Sequence, residues 1–122
     1  MKVLIIDDEN DIRRIARLGL ERVGKMQVVD AASGADGLVK ARAEKPDVVL
    51  LDVMMPGQDG PATLKSLRSD PETAAIPVIF LTAKALTDEV ERLRALGAKG
   101  VLTKPFDAMT LAEQVRALLS QG

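Results

Sequence analysis

Cysteine and histidine are both missing from the 122 residues. Without cysteine there are neither disulfides nor thiolate metal sites. Without histidine there is no Ser-His-Asp apparatus, no imidazole metal site and no phosphohistidine on this chain. Tryptophan and tyrosine are absent too, and Phe80 and Phe106 are the only aromatics, so stacking of bases or of a flavin ring lacks its usual groups. Neither sign of charge dominates, with 18 acidic against 17 basic residues and no Lys/Arg run, which speaks against direct nucleic-acid contact. Long apolar runs are lacking as well. Val3-Leu4-Ile5-Ile6 is soon followed by two aspartates, whereas a membrane helix needs about 20 apolar residues and a signal peptide needs a longer apolar region and a cleavage site. The expectation is a cytoplasmic protein with no membrane insertion.

What is present reads as an ordinary soluble globule, 47% hydrophobic and 29% charged, with a length that suits one domain over residues 1–122. Five short apolar runs, Val3–Ile6, Val28–Ala31, Val48–Leu51, Pro77–Leu81 and Gly100–Leu102, alternate with helix-like segments. The continuous Val/Ile/Leu runs fit strands covered on both faces. Ile12, Ile15, Ala16, Gly19, Leu20 and Val23 keep helical spacing, with Gly24 as a stop. Ser33 with Asp36 suits the start of a second helix and Pro46 lies past its end, while Pro61 suits the first turn of a third with Leu64 and Leu67. Thr87 is expected to cap a fourth that stops before Gly97. Asp107 is expected to cap a fifth with Leu111, Val115, Leu118 and Leu119 on its apolar face. Strict alternation with short connections implies an α/β fold, a five-stranded parallel sheet with helices on both faces.

Ligands in such sheets sit outside the carboxyl ends of the strands. The first strand runs into Asp7-Asp8-Glu9, the third into Asp52, the fourth into Thr82 and the fifth into Thr103-Lys104-Pro105. Carboxylates gathered in one pocket repel each other and raise a pKa unless something compensates. Two compensators fit, Lys104 and a divalent cation. Oxygen ligands without His or Cys select a hard ion, and Mg²⁺ is the usual choice where phosphate chemistry follows. A carboxylate can itself be a nucleophile that forms an aspartyl phosphate, and Asp52, at the end of the middle strand, is the best placed. Lys104, the Thr82 hydroxyl and backbone N–H groups after Asp52 can then surround the phosphoryl oxygens.

Asp7-Asp8, the Leu50-Leu51-Asp52-Val53-Met54-Met55-Pro56 run with Asp59-Gly60, the Leu81-Thr82-Ala83 step and Lys104-Pro105-Phe106 resemble the receiver domains of two-component signalling, in order and over the whole chain. The resemblance implies a flavodoxin-like (βα)5 sheet of order 2-1-3-4-5 and a single, chemotaxis-regulator-like domain. It implies that Asp52 is the phosphoacceptor, that Asp7, Asp8 and Asp52 hold Mg²⁺ with the backbone carbonyl of Met54, and that Thr82 and Lys104 bind the phosphoryl group. It further implies a cis peptide before Pro105 and a small residue, Ala83, that leaves the pocket open. The implied partners are a sensor histidine kinase or a histidine phosphotransfer protein upstream and a protein target downstream. Many receivers carry Tyr or Phe three residues before the lysine, where this chain has Val101, so a ring flip cannot transmit the signal. Lys84, two residues past Thr82, occupies a position where the family varies phosphoryl lifetime.

Each residue has a plainer reading when taken alone. Asp7-Asp8-Glu9 could favour the positive end of a helix, Asp52 could be a turn residue, Thr82 an ordinary strand-end threonine and Lys104 a solvated lysine. Met54 and Met55 read as packing or loop residues, Arg13, Arg14 and Arg17 as a solvated helix face, and Asp70-Pro71-Glu72 as a surface turn. Three other functions compete. One is a phosphate-independent interaction module of the same fold. Another is a flavin carrier, whose phosphate-cradling loop would clash with Asp7-Asp8-Glu9. The third is an aspartate-nucleophile hydrolase, which usually has a second acid where Met54 stands. As a receiver the chain would transfer phosphate to itself rather than turn over a free substrate. Ending in the fifth helix and Ser120-Gln121-Gly122, it fits either a stand-alone regulator or a piece of a longer protein.

Overall fold

Alternate residues of a strand face opposite sides of a sheet, so a strand apolar at every position needs cover on both sides. The computed structural model, which describes residues 1–121, has five strands, β1 (Lys2–Ile6), β2 (Gln27–Ala31), β3 (Val48–Asp52), β4 (Val78–Thr82) and β5 (Gly100–Thr103), and every residue of the central β3 and of β4 is buried. All pair in parallel, in the order β2-β1-β3-β4-β5. Val3, Ile5, Val48, Leu50, Ile79 and Leu81 face one core with Ala16, Leu20, Leu111 and Val115. Leu4, Ile6, Val49, Leu51, Val78 and Phe80 face the other with Leu64, Leu67 and Leu93. Thus α1 (Asn10–Arg17) and α5 (Leu111–Leu119) cover one face, and α2 (Gly34–Glu44), α3 (Gly60–Ser69) and α4 (Thr87–Ala95) the other. This is the expected flavodoxin-like arrangement.

Local chemistry explains the boundaries. The Ser33 hydroxyl accepts from the Asp36 N–H at 3.1 Å, and the Asp59 carboxylate accepts from the Ala62 N–H at 2.9 Å with Pro61 in the first turn. Pro77, read as the first residue of the fourth strand, lies just before it. Lacking an N–H, it offers only its carbonyl, which accepts from Val49 at 3.0 Å. Two cap expectations are corrected. Thr87 is the first helical residue of α4, after an extended Leu86, and makes no side-chain cap. Asp107 closes a separate turn, its carboxylate accepting from Met109 at 2.8 Å and its carbonyl from Thr110 and Leu111, so α5 begins later.

The first helix also departs from the simple pattern. After Arg17 it widens into a π-helical stretch, Leu18–Val23, closed by a Gly24 N–H to Gly19 carbonyl bond of 3.0 Å. The extra residue per turn swings Val23 off the core, where helical spacing would have buried it, and Leu18 is exposed too. Gly19 lets the segment before α5 come close, because a Cβ there would strike the Ala108 carbonyl.

Helix α2 ends on Lys45, which adopts a left-handed conformation at φ 49° where glycine is usual. A side chain costs about 1–2 kcal/mol in that region, partly offset by the entropy glycine loses on folding. Lys45→Gly is therefore expected to raise stability by about 0.5–1 kcal/mol in urea unfolding, and an unchanged or lower midpoint would contradict the strain.

Candidate functional site

The chain runs from β1 to β2 on one side and then crosses to β3 on the other, so the carboxyl ends of β1 and β3 flank the point where strand order reverses. Ile6 pairs with Leu51 and Asp52 with Leu81, so Asp7 leaves β1 beside Asp52. Thr82 pairs with Thr103, which delivers Lys104 to the same edge. The loop after Asp52 folds back tightly, with the Gly60 N–H donating to the Val53 carbonyl at 2.9 Å. A side chain at Gly60 would strike the Asp52 carbonyl.

These strand ends bring Asp7, Asp8, Asp52 and Lys104 together. Carboxylate oxygens of the three aspartates lie within 4.8 Å of one another, with Asp7 and Asp52 buried and Asp8 exposed. The Lys104 ammonium donates to Asp7 Oδ2 at 3.1 Å, to Glu9 Oε1 at 3.1 Å and to Asp52 Oδ1 at 3.2 Å. The Glu9 N–H donates to Asp7 Oδ1 at 2.9 Å, and the Met54 N–H reaches Asp52 Oδ1 at 3.4 Å. The peptide before Pro105 is cis, and Ala83 is exposed.

Thr82 stands apart from this cluster. It ends β4, but its hydroxyl donates to the Lys84 carbonyl at 3.1 Å and accepts from the Lys84 N–H at 3.2 Å. The Met54 side chain is 79% exposed, and Met55 is buried in the second core. Val101 is half-buried and lines a shallow cleft with Val90 and Leu118. Two contributors were not legible in the sequence. Glu9 is a third anionic partner of Lys104. Arg13, expected on a solvated face, instead turns inward to donate to the Asp7 carbonyl at 2.6 Å and lies 3.5 Å from Asp30. A basic residue so near a helix start, where the backbone already presents positive charge, was the available signal.

Electrostatics follow from burial. Desolvation pushes Asp52 up to about 6, with the Asp7 charge adding to the rise and Lys104 opposing it. Desolvation also raises Asp7, against the Glu9 N–H and Lys104. Burial disfavours the Lys104 ammonium, yet Glu9, Asp7 and Asp52 together hold its pKa above the ordinary lysine value. Four carboxylates facing one ammonium leave the pocket short of positive charge. An all-oxygen donor set of this kind fits a hard divalent cation. The cleft between α2 and α3, about 540 Å³, sets Arg42 against only two carboxylates, Asp70 at 2.9 Å and Glu72 at 3.5 Å, so its deficit of positive charge is smaller.

A raised carboxyl pKa has a defined linkage. The folded state binds the Asp52 proton more tightly than the unfolded chain, so stability falls as pH rises from the ordinary value near 3.8 through about 6. Asp52→Asn, measured by urea unfolding of metal-free protein, should match the native chain near pH 4 and exceed it by about 1–3 kcal/mol at pH 7. A difference that does not grow with pH would refute the burial of an ionised Asp52.

The model of the response regulator receiver domain matches residues 3–116. Protein PilH of Pseudomonas aeruginosa is 44% identical over 121 residues, 98% of each chain. The transcriptional regulatory protein CseB of Streptomyces coelicolor is 39% identical over 117 residues, 96% of this chain but 48% of that protein. Among solved structures, the chemotaxis response regulator CheY4 of Vibrio cholerae superposes with a TM-score of 0.88 at 32% identity, covering 96% of this chain and 97% of that one. The chain belongs to the response regulator receiver domain family of two-component signalling.

Proposed function

We propose that residues 1–122 form one switch domain that accepts a phosphoryl group on Asp52 from a phosphohistidine of a sensor histidine kinase or a histidine phosphotransfer protein. The observation that carries this reading is the single ammonium shared between Asp7 and Asp52, at 3.1 and 3.2 Å, in a cluster otherwise made of carboxylates. Asp7, Asp8 and Asp52, with the Met54 backbone carbonyl, would hold Mg²⁺. When bound, that ion supplies positive charge to the transferring phosphoryl oxygens.

The chain's own residues do the remaining work. An Asp52 carboxylate oxygen bonds to phosphorus as the P–N bond of the phosphohistidine breaks, and the imidazole leaves with the electron pair and takes up a proton. Even with its pKa pushed up to about 6, Asp52 is mostly ionised at pH 7 and so available as the nucleophile. Lys104 donates to a phosphoryl oxygen in place of part of its present contact with Asp52. Thr82 must exchange its bonds to the Lys84 backbone for one to the phosphoryl group. That exchange reshapes the loop before α4 and, through it, the face of α4, β5 and α5 on which a downstream protein docks. Transfer is to the chain itself, without turnover of a free substrate, and we place it in the cytoplasm with no direct nucleic-acid contact. No helix of the described residues is long and apolar enough to cross a membrane. Similarity to the chemotaxis response regulator CheY4, over 96% of this chain and 97% of that one, supports a chemotaxis-regulator-like role; CseB, of which this chain spans about half, lends no output.

A second reading, a phosphate-independent docking module, is favoured by the aliphatic Val101 in place of the usual aromatic. Intact mass after incubation with acetyl phosphate separates the two. The expected adduct is one phosphate that requires both Mg²⁺ and Asp52 and is lost in Asp52→Asn. If neither acetyl phosphate nor a cognate phosphorylated kinase yields it, the docking module takes its place. Lys104→Met is expected to slow adduct formation on the order of 100-fold, the usual cost of removing one donor from a developing oxyanion. An unchanged rate would remove Lys104 from the mechanism.

A further inference from the structure

Arg13 lies in the first turns of α1, five residues past Asp8, and its side chain is only 15% exposed. All three of its nitrogens are engaged. Nη1 donates to the Asp7 carbonyl at 2.6 Å, Nη2 to the Asn10 carboxamide, and Nε lies 3.5 Å from Asp30 Oδ2 on β2. Asp30 is held in turn by Arg17 at 3.5 Å, and its own carbonyl accepts from Lys40 at 2.5 Å. The Asp7 N–H meanwhile donates to the Ala31 carbonyl at 3.1 Å. Asp7 is therefore gripped at both ends of its backbone by groups on β2 and α1.

The Asp7 carbonyl and the Asp8 N–H belong to one planar peptide unit, so fixing that oxygen fixes the direction in which the chain enters Asp8. Asp8 needs such control. Lys104 bonds Asp7, Glu9 and Asp52 but not Asp8, which is exposed yet presents its carboxylate to the cluster. We infer that Arg13 is a positioning residue for divalent-cation binding: by gripping the Asp7 carbonyl and bracing on Asp30 it aims the Asp8 carboxylate into the cluster. The inference rests on the cation reading given above. It differs in sign from a charge effect, because a guanidinium beside an acidic site repels a cation and its removal alone would tighten binding.

The test is calorimetric titration of Mg²⁺ into the metal-free full chain, with urea unfolding in EDTA to verify that each variant folds. Arg13→Gln should raise the dissociation constant about tenfold, the lower end of what groups behind metal ligands contribute. Asp30→Asn should raise it less, and Arg13→Lys, which keeps a donor for the carbonyl, should recover part of the loss. Arg14→Gln removes a charge from the same helix at a 79% exposed side chain and should bind as the native chain does. With acetyl phosphate, the Arg13→Gln deficit should vanish at saturating Mg²⁺. A folded Arg13→Gln that binds as tightly as the native chain, or tighter, overturns the inference and leaves the cation site standing. Should that variant not fold, unchanged affinity in Asp30→Asn overturns it. A native chain that binds no Mg²⁺ overturns the cation reading, and this inference with it.

Discussion

A single ammonium, that of Lys104, lets carboxylates from two distant parts of the chain share one buried edge of the sheet. Asp7 and Asp52 are almost completely withdrawn from water, and two such anions side by side would not both stay ionised near neutrality without it. Even with it, both pKa values stand above the ordinary aspartate range, so the neutralisation is incomplete. A fully paired cluster would be a structural ion network, whereas this one retains capacity for further positive charge and for an anion that arrives with it.

Everything else places these groups. The two apolar faces of the sheet bury the strands on both sides, which leaves their ends as the places where polar side chains can gather. Strand order then selects which ends meet, setting β1 and β3 as neighbours where the winding reverses. Within that frame the finer devices are backbone ones. Gly60 lets the loop after Asp52 return against its own strand, and Arg13 ties the Asp7 peptide to β2.

Much of this was readable from the residues. The five strands fall within a residue or two of their apolar runs, because burial on both faces leaves little choice of side chain. The convergence of Asp7, Asp8, Asp52 and Lys104 followed from alternation plus the rule for strand ends. What escaped was governed by local competition or by rotamers. Asp107 spends its carboxylate on a turn rather than on the α5 start, Thr87 leaves α4 uncapped, and a π-helical stretch turns Val23 outward. No pattern in the sequence specifies the reach of Glu9 to Lys104 or of Arg13 to a main-chain oxygen. The direction of the Thr82 hydroxyl was equally hidden, since a threonine at a strand end serves either its own loop or its neighbours.

The bonds from Lys104 span 97 residues to Asp7 and 52 to Asp52, about four-fifths of the chain and over two-fifths of it. No fragment holding the first three strands alone can contain the completed pocket, although it carries every one of its aspartates. During biosynthesis, which proceeds from the amino end, the acidic cluster exists for a time without its counter-charge. The arrival of β5 therefore does two things at once: it completes the sheet, and it gives a set of mutually repelling anions their counter-charge. The completed charge pairing is in this sense a report that folding has finished.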